Sequence, residues 1–88
     1  LHYACWHGYK EIAEFLLKGG ANFDAENHVK ATPLHLASER GHVGLVKLLI
    51  QSKANANSQN LNGWCPLHYA AYACKGEVVR VLLDAGSH

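Results

Sequence analysis

Between residues 43 and 52 the chain reads VGLVKLLIQS, and its apolar residues Leu45, Leu48 and Leu49 take the spacing that lays a stripe along one face of a helix. The same stripe occurs earlier as Ile12/Phe15/Leu16 and later as Val78/Val81/Leu82, each set displaced by 33 positions. A second pattern precedes each stripe. Leu-His recurs at Leu1-His2, Leu34-His35 and Leu67-His68, followed by a small residue at Ala4, Ala37 and Ala70, again 33 apart and with no gap needed anywhere. A fixed period in this range marks a repeated structural unit.

The middle unit shows how one repeat is built. Thr32 is placed as a helix N-cap with Pro33 at the first helical position, where its missing N–H costs nothing, so a first helix is predicted to run to about Arg40. Gly41 supplies a turn, and a second helix is predicted from Val43 to about Ser52. The polar stretch ANANSQNLNG, residues 54–63, then closes on Asn62-Gly63, a β-turn signal. The reading is an all-α repeat solenoid of helix-turn-helix units joined by β-hairpin-like loops. Its units are a partial one at 1–26, a second at 27–59 and a third at 60–88 that lacks its final loop. One helix pair leaves a broad apolar face open, so the units must stack to bury it, and three form a minimum array.

Composition narrows the setting. The 88 residues suffice for one small domain, and 49% hydrophobic against 17% charged residues is the balance of a folding chain. A formal net charge of +1 argues against a nucleic-acid binder, an acidic substrate or an anionic membrane surface. The apolar runs are too short and too interrupted for direct membrane insertion. Three cysteines, with no C-x-x-C pair, point to a reducing compartment, cytoplasm or nucleus. A first residue Leu rather than Met suggests a piece of a longer array.

The middle unit carries Thr32-Pro33-Leu34-His35-Leu36-Ala37, then Gly41-His42, Val46-Lys47-Leu48-Leu49 and Ala54-Asn55-Ala56-Asn57. The third carries Cys65-Pro66-Leu67-His68-Tyr69-Ala70, and the first Leu1-His2-Tyr3-Ala4, Gly8 and Gly20-Ala21-Asn22. With its 33-residue period, the whole chain resembles the ankyrin-repeat family. Four departures fall on mechanical slots. Lys30 stands in the slot of Gly63, and Lys53 in that of Gly20 and Gly86; if these slots need positive φ, each lysine costs roughly 1 kcal/mol. Cys74 stands where Gly8 and Gly41 turn between helices, so the turn is expected to be reshaped around Gly76 with the preceding helix running long. Cys65 replaces the capping threonine and should weaken that cap by about 1 kcal/mol.

The opening LHYACWHG places His2, Cys5 and His7 at spacings that suggest a metal or nucleophile site. The chain's own copies test it: their slots hold His35, Ser38 and Arg40 in the second unit and His68, Ala71 and Ala73 in the third, so only the histidine recurs. His2, His35 and His68 are therefore read as scaffold together with Thr32, Pro33 and Pro66, the rings bonding backbone or the capping hydroxyl between units. No catalytic residue, metal site, cofactor or small-molecule substrate is expected. Cys74, beside Lys75, is read as a passive thiol rather than a reactive one, and His42 as a surface or helix-start residue. From the resemblance alone, Asn57 matches a loop asparagine that some family members carry hydroxylated.

The resemblance also implies a concave partner-binding face made of first-helix surfaces and hairpin tips. Mapped onto this chain, the candidate binding residues are Trp6, His7, Glu39, Arg40 and Tyr72 on first helices, and His28, Val29, Leu61, Asn62 and Trp64 at the loops, with Ala31 among the loop positions. Trp, Tyr and Arg are the types enriched in binding hot spots, although Trp6 and Tyr72 could equally cover the neighbouring hairpin. The expected function is a non-catalytic module binding a protein or peptide. The alternative is a structural spacer in a longer solenoid that regulates or positions an attached enzyme or channel domain.

Overall fold

A computed structural model describes residues 1–85; Ser87, His88 and Gly86, and with Gly86 one member of the Lys53 slot, lie outside the described residues. Among the described residues six helices follow in chain order: α1 His2–His7, α2 Lys10–Lys18, α3 Pro33–Arg40, α4 Val43–Gln51, α5 Pro66–Tyr72 and α6 Gly76–Asp84. Within each unit the two helices pack on each other. Between units, α3 lies between α1 and α5 while α4 lies between α2 and α6, giving two parallel rows. The core runs between the rows. Leu34, Leu45, Val46, Leu49, Val78 and Leu82 fill it, and Ala4, Ala37 and Ala70 on the first helices let their row pack closely.

The start of α3 follows from its cap. Pro33 opens the helix, the His35 N–H donates to Thr32 Oγ1, and Thr32 N–H donates back to His35 Nδ1 at 3.0 Å. In the third unit the Cys65 N–H still donates to His68 Nδ1 at 3.0 Å, while the thiol Sγ lies 3.2 Å from the same nitrogen. The imidazole half of the cap is thus kept, and a weaker thiol stands in for the hydroxyl.

Lys30 and Lys53 both sit at positive φ, 60° and 76°, as Gly63 does at 79° and Gly20 at 89°. The expectation for Cys74 needs correction. Gly76 lies inside α6 and reshapes nothing; α5 ends at Tyr72, and Cys74 itself adopts φ 60° in the slot where Gly8 and Gly41 take 78° and 75°. The register of α6 within the same unit depends on that turn, so packing of α6 on α5 and α4 imposes the left-handed conformation on a residue that resists it. Cys74→Gly is expected to raise stability by about 1 kcal/mol, read as a higher urea midpoint at unchanged slope. An unchanged or lower midpoint counts against strain at this turn.

Ser38 is the other local misfit. It is fully buried on α3, its hydroxyl has no hydrogen-bond partner among the described residues, and Cys5 and Ala71 occupy the same slot in the neighbouring units. Burying an unpartnered hydroxyl is unfavourable. Ser38→Ala should stabilise the fold by about 1 kcal/mol, checked by thermal and urea denaturation. A loss of stability would show that the hydroxyl has a role here.

Candidate functional site

The α1/α3/α5 row and the two loop tips form one continuous surface, and each tip is shaped by an asparagine. Asn27 Oδ1 accepts from Val29 N–H and Ala31 N–H at 3.0 and 2.9 Å, and the Lys30 N–H closes the turn on the Asn27 carbonyl at 2.9 Å. Asn60 does the same for Asn62 N–H and Trp64 N–H at 2.8 and 3.0 Å, with Gly63 closing the turn. The tips are then tied together, because Leu61 N–H donates to the Val29 carbonyl at 3.0 Å. The signal for these asparagines was their separation by one period, yet only the side-chain bonds reveal what they do.

On this surface the candidate residues divide into two groups. Trp6 is half-buried on α1, and the guanidinium of Arg40, reaching from the next unit, lies 4.7 Å from its ring centroid, a cation–π contact. In the third unit Trp64 packs against Tyr72 at 5.7 Å and edge-on to Tyr69 at 6.1 Å, leaving Trp64 39% and Tyr72 80% exposed. Glu39 is half-buried between these groups in sequence slot, and His28, Leu61 and Asn62 project from the tips as exposed residues, with Val29 half-buried. His7 is exposed, but its ring packs on Tyr3 at 4.4 Å and Tyr9 at 5.5 Å, two aromatic residues that had not been singled out. Ala31, placed with the variable loop positions from sequence, is buried: its carbonyl accepts from His2, and its N–H is held by Asn27.

Beneath the surface runs a line of histidine bonds. The Nδ1 of His35 accepts from both the Thr32 N–H and its hydroxyl, at 3.0 and 2.9 Å, which leaves the proton on Nε2. That Nε2–H donates 2.8 Å to the Trp64 carbonyl of the next unit. His2 Nε2 meets the Ala31 carbonyl at 3.0 Å in the corresponding place, one period earlier. Burial holds the His35 imidazole below its ordinary value of 6.5, against the raising influence of the Trp64 and Ser58 backbone and the Glu26 carboxylate. His42 precedes α4 and reaches the other way, Nε2 to the Trp6 carbonyl at 3.2 Å.

The sequence profile of ankyrin repeats, in three copies, matches residues 1–88. The chain belongs to the ankyrin-repeat family. A search of the curated proteins finds no match to it. Ankyrin repeats are in general protein–protein interaction modules and non-catalytic. No helix among the described residues is long and apolar enough to cross a membrane.

Within this ankyrin stack the opening Cys/His stretch comes apart into separate roles. His2 is engaged with Ala31, Cys5 is fully buried with its thiol pushed up to about 11 by that burial, and His7 lies on the opposite, exposed side of α1. Asn57 is exposed in the loop after α4, its N–H held by Asn55 Oδ1 at 2.9 Å. One period earlier its slot is filled by Asp24, whose Oδ1 accepts the Asn55 N–H at 3.0 Å and so links the loops of the first two units. Cys74 is exposed at the strained turn.

Proposed function

We propose that this ankyrin-repeat chain is a non-catalytic module that binds a protein or peptide on the concave side of the stack, through Trp6, His7, His28, Val29, Glu39, Arg40, Leu61, Asn62, Trp64 and Tyr72. The observation that supports the reading is the pair of aromatic groups, Trp6 under Arg40 across the first junction and Trp64 against Tyr72 in the third unit, with Trp6 and Tyr72 in the same first-helix slot two periods apart. Large rings with two rotatable bonds present area at low entropic cost, which is why they concentrate in hot spots. With repeat boundaries at 27 and 60, the second and third units would each bring an asparagine-held tip and a first helix to the groove, and the first unit its first helix. Cys5, Cys65 and Cys74 all stand as thiols, in keeping with a cytoplasmic or nuclear setting. Asn57, exposed on its loop, is the position we propose as open to modification.

The test is selection of peptides against the purified chain from a displayed library, followed by affinity measurement on variants. Trp64→Ala and Tyr72→Ala remove rings while the Trp64 carbonyl still receives His35, so the fold should persist by circular dichroism. Loss of roughly 2 kcal/mol of binding, some thirtyfold in Kd, is expected for each. Selected peptides that bind the Trp6→Ala, Trp64→Ala and Tyr72→Ala proteins as tightly as wild type would place the site elsewhere.

A further inference from the structure

Arg40 ends α3 exposed, yet its side chain is not left loose in solvent. The guanidinium reaches back across the first junction and lies over the Trp6 ring, 4.7 Å from its centroid. Contact with a π face restrains the long side chain and favours its charge, but gives the N–H donors no oxygen acceptor. Among the described residues no carboxylate supplies one: the Arg40 side chain forms no ion pair or hydrogen bond there, although Glu39 precedes it in the chain. A planar fork of donors is thus held at the surface with its oxygen sites untaken.

This pairing belongs to one place in the stack. The slots of Trp6 and Arg40 hold Glu39 and Ala73 one period on, so the second junction carries a carboxylate and a methyl group where the first carries an indole and a cation. The helix beneath Arg40 sharpens the contrast. α1 reads HYACWH and has no acidic residue, so a negative group approaching Trp6 meets the Arg40 charge with no carboxylate of that helix set against it. Arg40 is exposed although α3 is packed by α1 on one side and α5 on the other, so its exposure belongs to the open side of the first-helix row and not to a face where units stack.

We propose that Arg40, held over Trp6, receives an aspartate or glutamate side chain of the bound peptide; this rests on the concave-face reading above and names the chemistry of its partner. Two carboxylate oxygens match the guanidinium fork in a way that a point charge does not. The ring beneath has already restricted the arginine, so less freedom is lost when the carboxylate arrives. Trp6 is on this account a positioning residue for Arg40 as well as a contact surface.

Peptides selected from a displayed random library on the wild-type chain supply the probe, remade as synthetic peptides with blocked ends. Each should carry an acidic residue whose change to asparagine or glutamine weakens binding to wild type about tenfold. On Arg40→Gln the acidic and amide peptides should bind alike. Lys30→Gln removes an exposed cation from the neighbouring tip and should leave the preference intact. Trp6→Leu keeps every charge and removes the ring, and the preference should shrink. The comparison of two peptides on wild type needs no variant to fold, and circular dichroism checks the variants. An acid-to-amide change without effect on wild type, a preference that survives Arg40→Gln, or one that falls as far with Lys30→Gln overturns the proposal. Peptides that lose affinity on Trp64→Ala and Tyr72→Ala but show no acid preference would remove the Arg40 proposal alone. Indifference to charge and to those rings, Trp6 included, would remove the concave-face reading with it.

Discussion

Replacing His35 with alanine should cost about 3 kcal/mol and lower the urea midpoint more than the same change at His68. The reason is the set of partners left behind. His35 is fully buried, and its removal strands the Thr32 N–H and the Thr32 hydroxyl proton, and takes from the Trp64 carbonyl the bond that crosses the junction between the second and third units, leaving it only the Asn60 N–H. An unsatisfied buried polar group costs about 1–3 kcal/mol, and some relaxation of the Trp64 loop keeps the total below the sum. His68 is exposed and, among the described residues, its ring hydrogen-bonds within its own cap, so His68→Ala should cost less than half as much. Equal losses at the two positions would show that capping, and not the bridge to Trp64, is what His35 contributes.

The same residue sets a pH dependence. In the fold the His35 imidazole is held below its ordinary 6.5, so on acidification the unfolded chain takes up its proton first. The stabilising contribution of His35 is accordingly complete above about pH 6.5 and is lost as pH falls through that value toward the folded one. Two consequences can be measured. Wild type should lose stability between pH 7.5 and 5.5, and the gap between wild type and His35→Ala should narrow over that interval, since the variant has nothing to protonate there. A gap that widens with acid would mean that the negative charge of Glu26 and the backbone bonds at Trp64 and Ser58 stabilise the charged ring more than burial opposes it.

Leu49→Ala is the second large effect. Leu49 is fully buried in the core on α4, the helix held between α2 and α6. Truncation of a leucine at such a site costs about 2–5 kcal/mol, and a value near 3 is expected because the small residues of the first-helix row cannot move in to fill the void. That is a large share of the roughly 5–10 kcal/mol available to a domain of this size. Because each unit touches only its neighbours, a lesion in the middle one should weaken the whole stack rather than one end. Amide exchange would show it: protection should fall in α2 and α6 as well as in α4. Protection lost in α4 alone would indicate units that open independently. Lys47→Ala, exposed on the same helix, should change stability by less than about 0.5 kcal/mol.

Much of this molecule was legible in the residues, because a repeat is a local rule written three times. The spacing of Leu45, Leu48 and Leu49 specifies a helix face, Thr32-Pro33 a helix start and Gly41 its end, and each statement needs only the nearest few residues. Copying by 33 positions then orders the units without long-range information. It also separated His2, which recurs, from Cys5 and His7, which do not. The Cys74 turn was misjudged for a related reason: a nearby glycine satisfies local preference, but helix packing on both sides holds the register and places the strain on Cys74.

What the tertiary structure alone decided is which groups meet across the junctions. Arg40 finding Trp6, His35 finding the Trp64 carbonyl, and Asn27 and Asn60 holding the tips all depend on side-chain direction and on the displacement from one unit to the next. Neither is encoded in any short window of sequence. The sequence by itself determined the units, their helices and their stacking, since these follow from periodicity and caps. The structure decided which aromatic rings stay in water, that Ala31 is buried and that Ser38 is left unpartnered, because burial is a property of the neighbour and not of the residue.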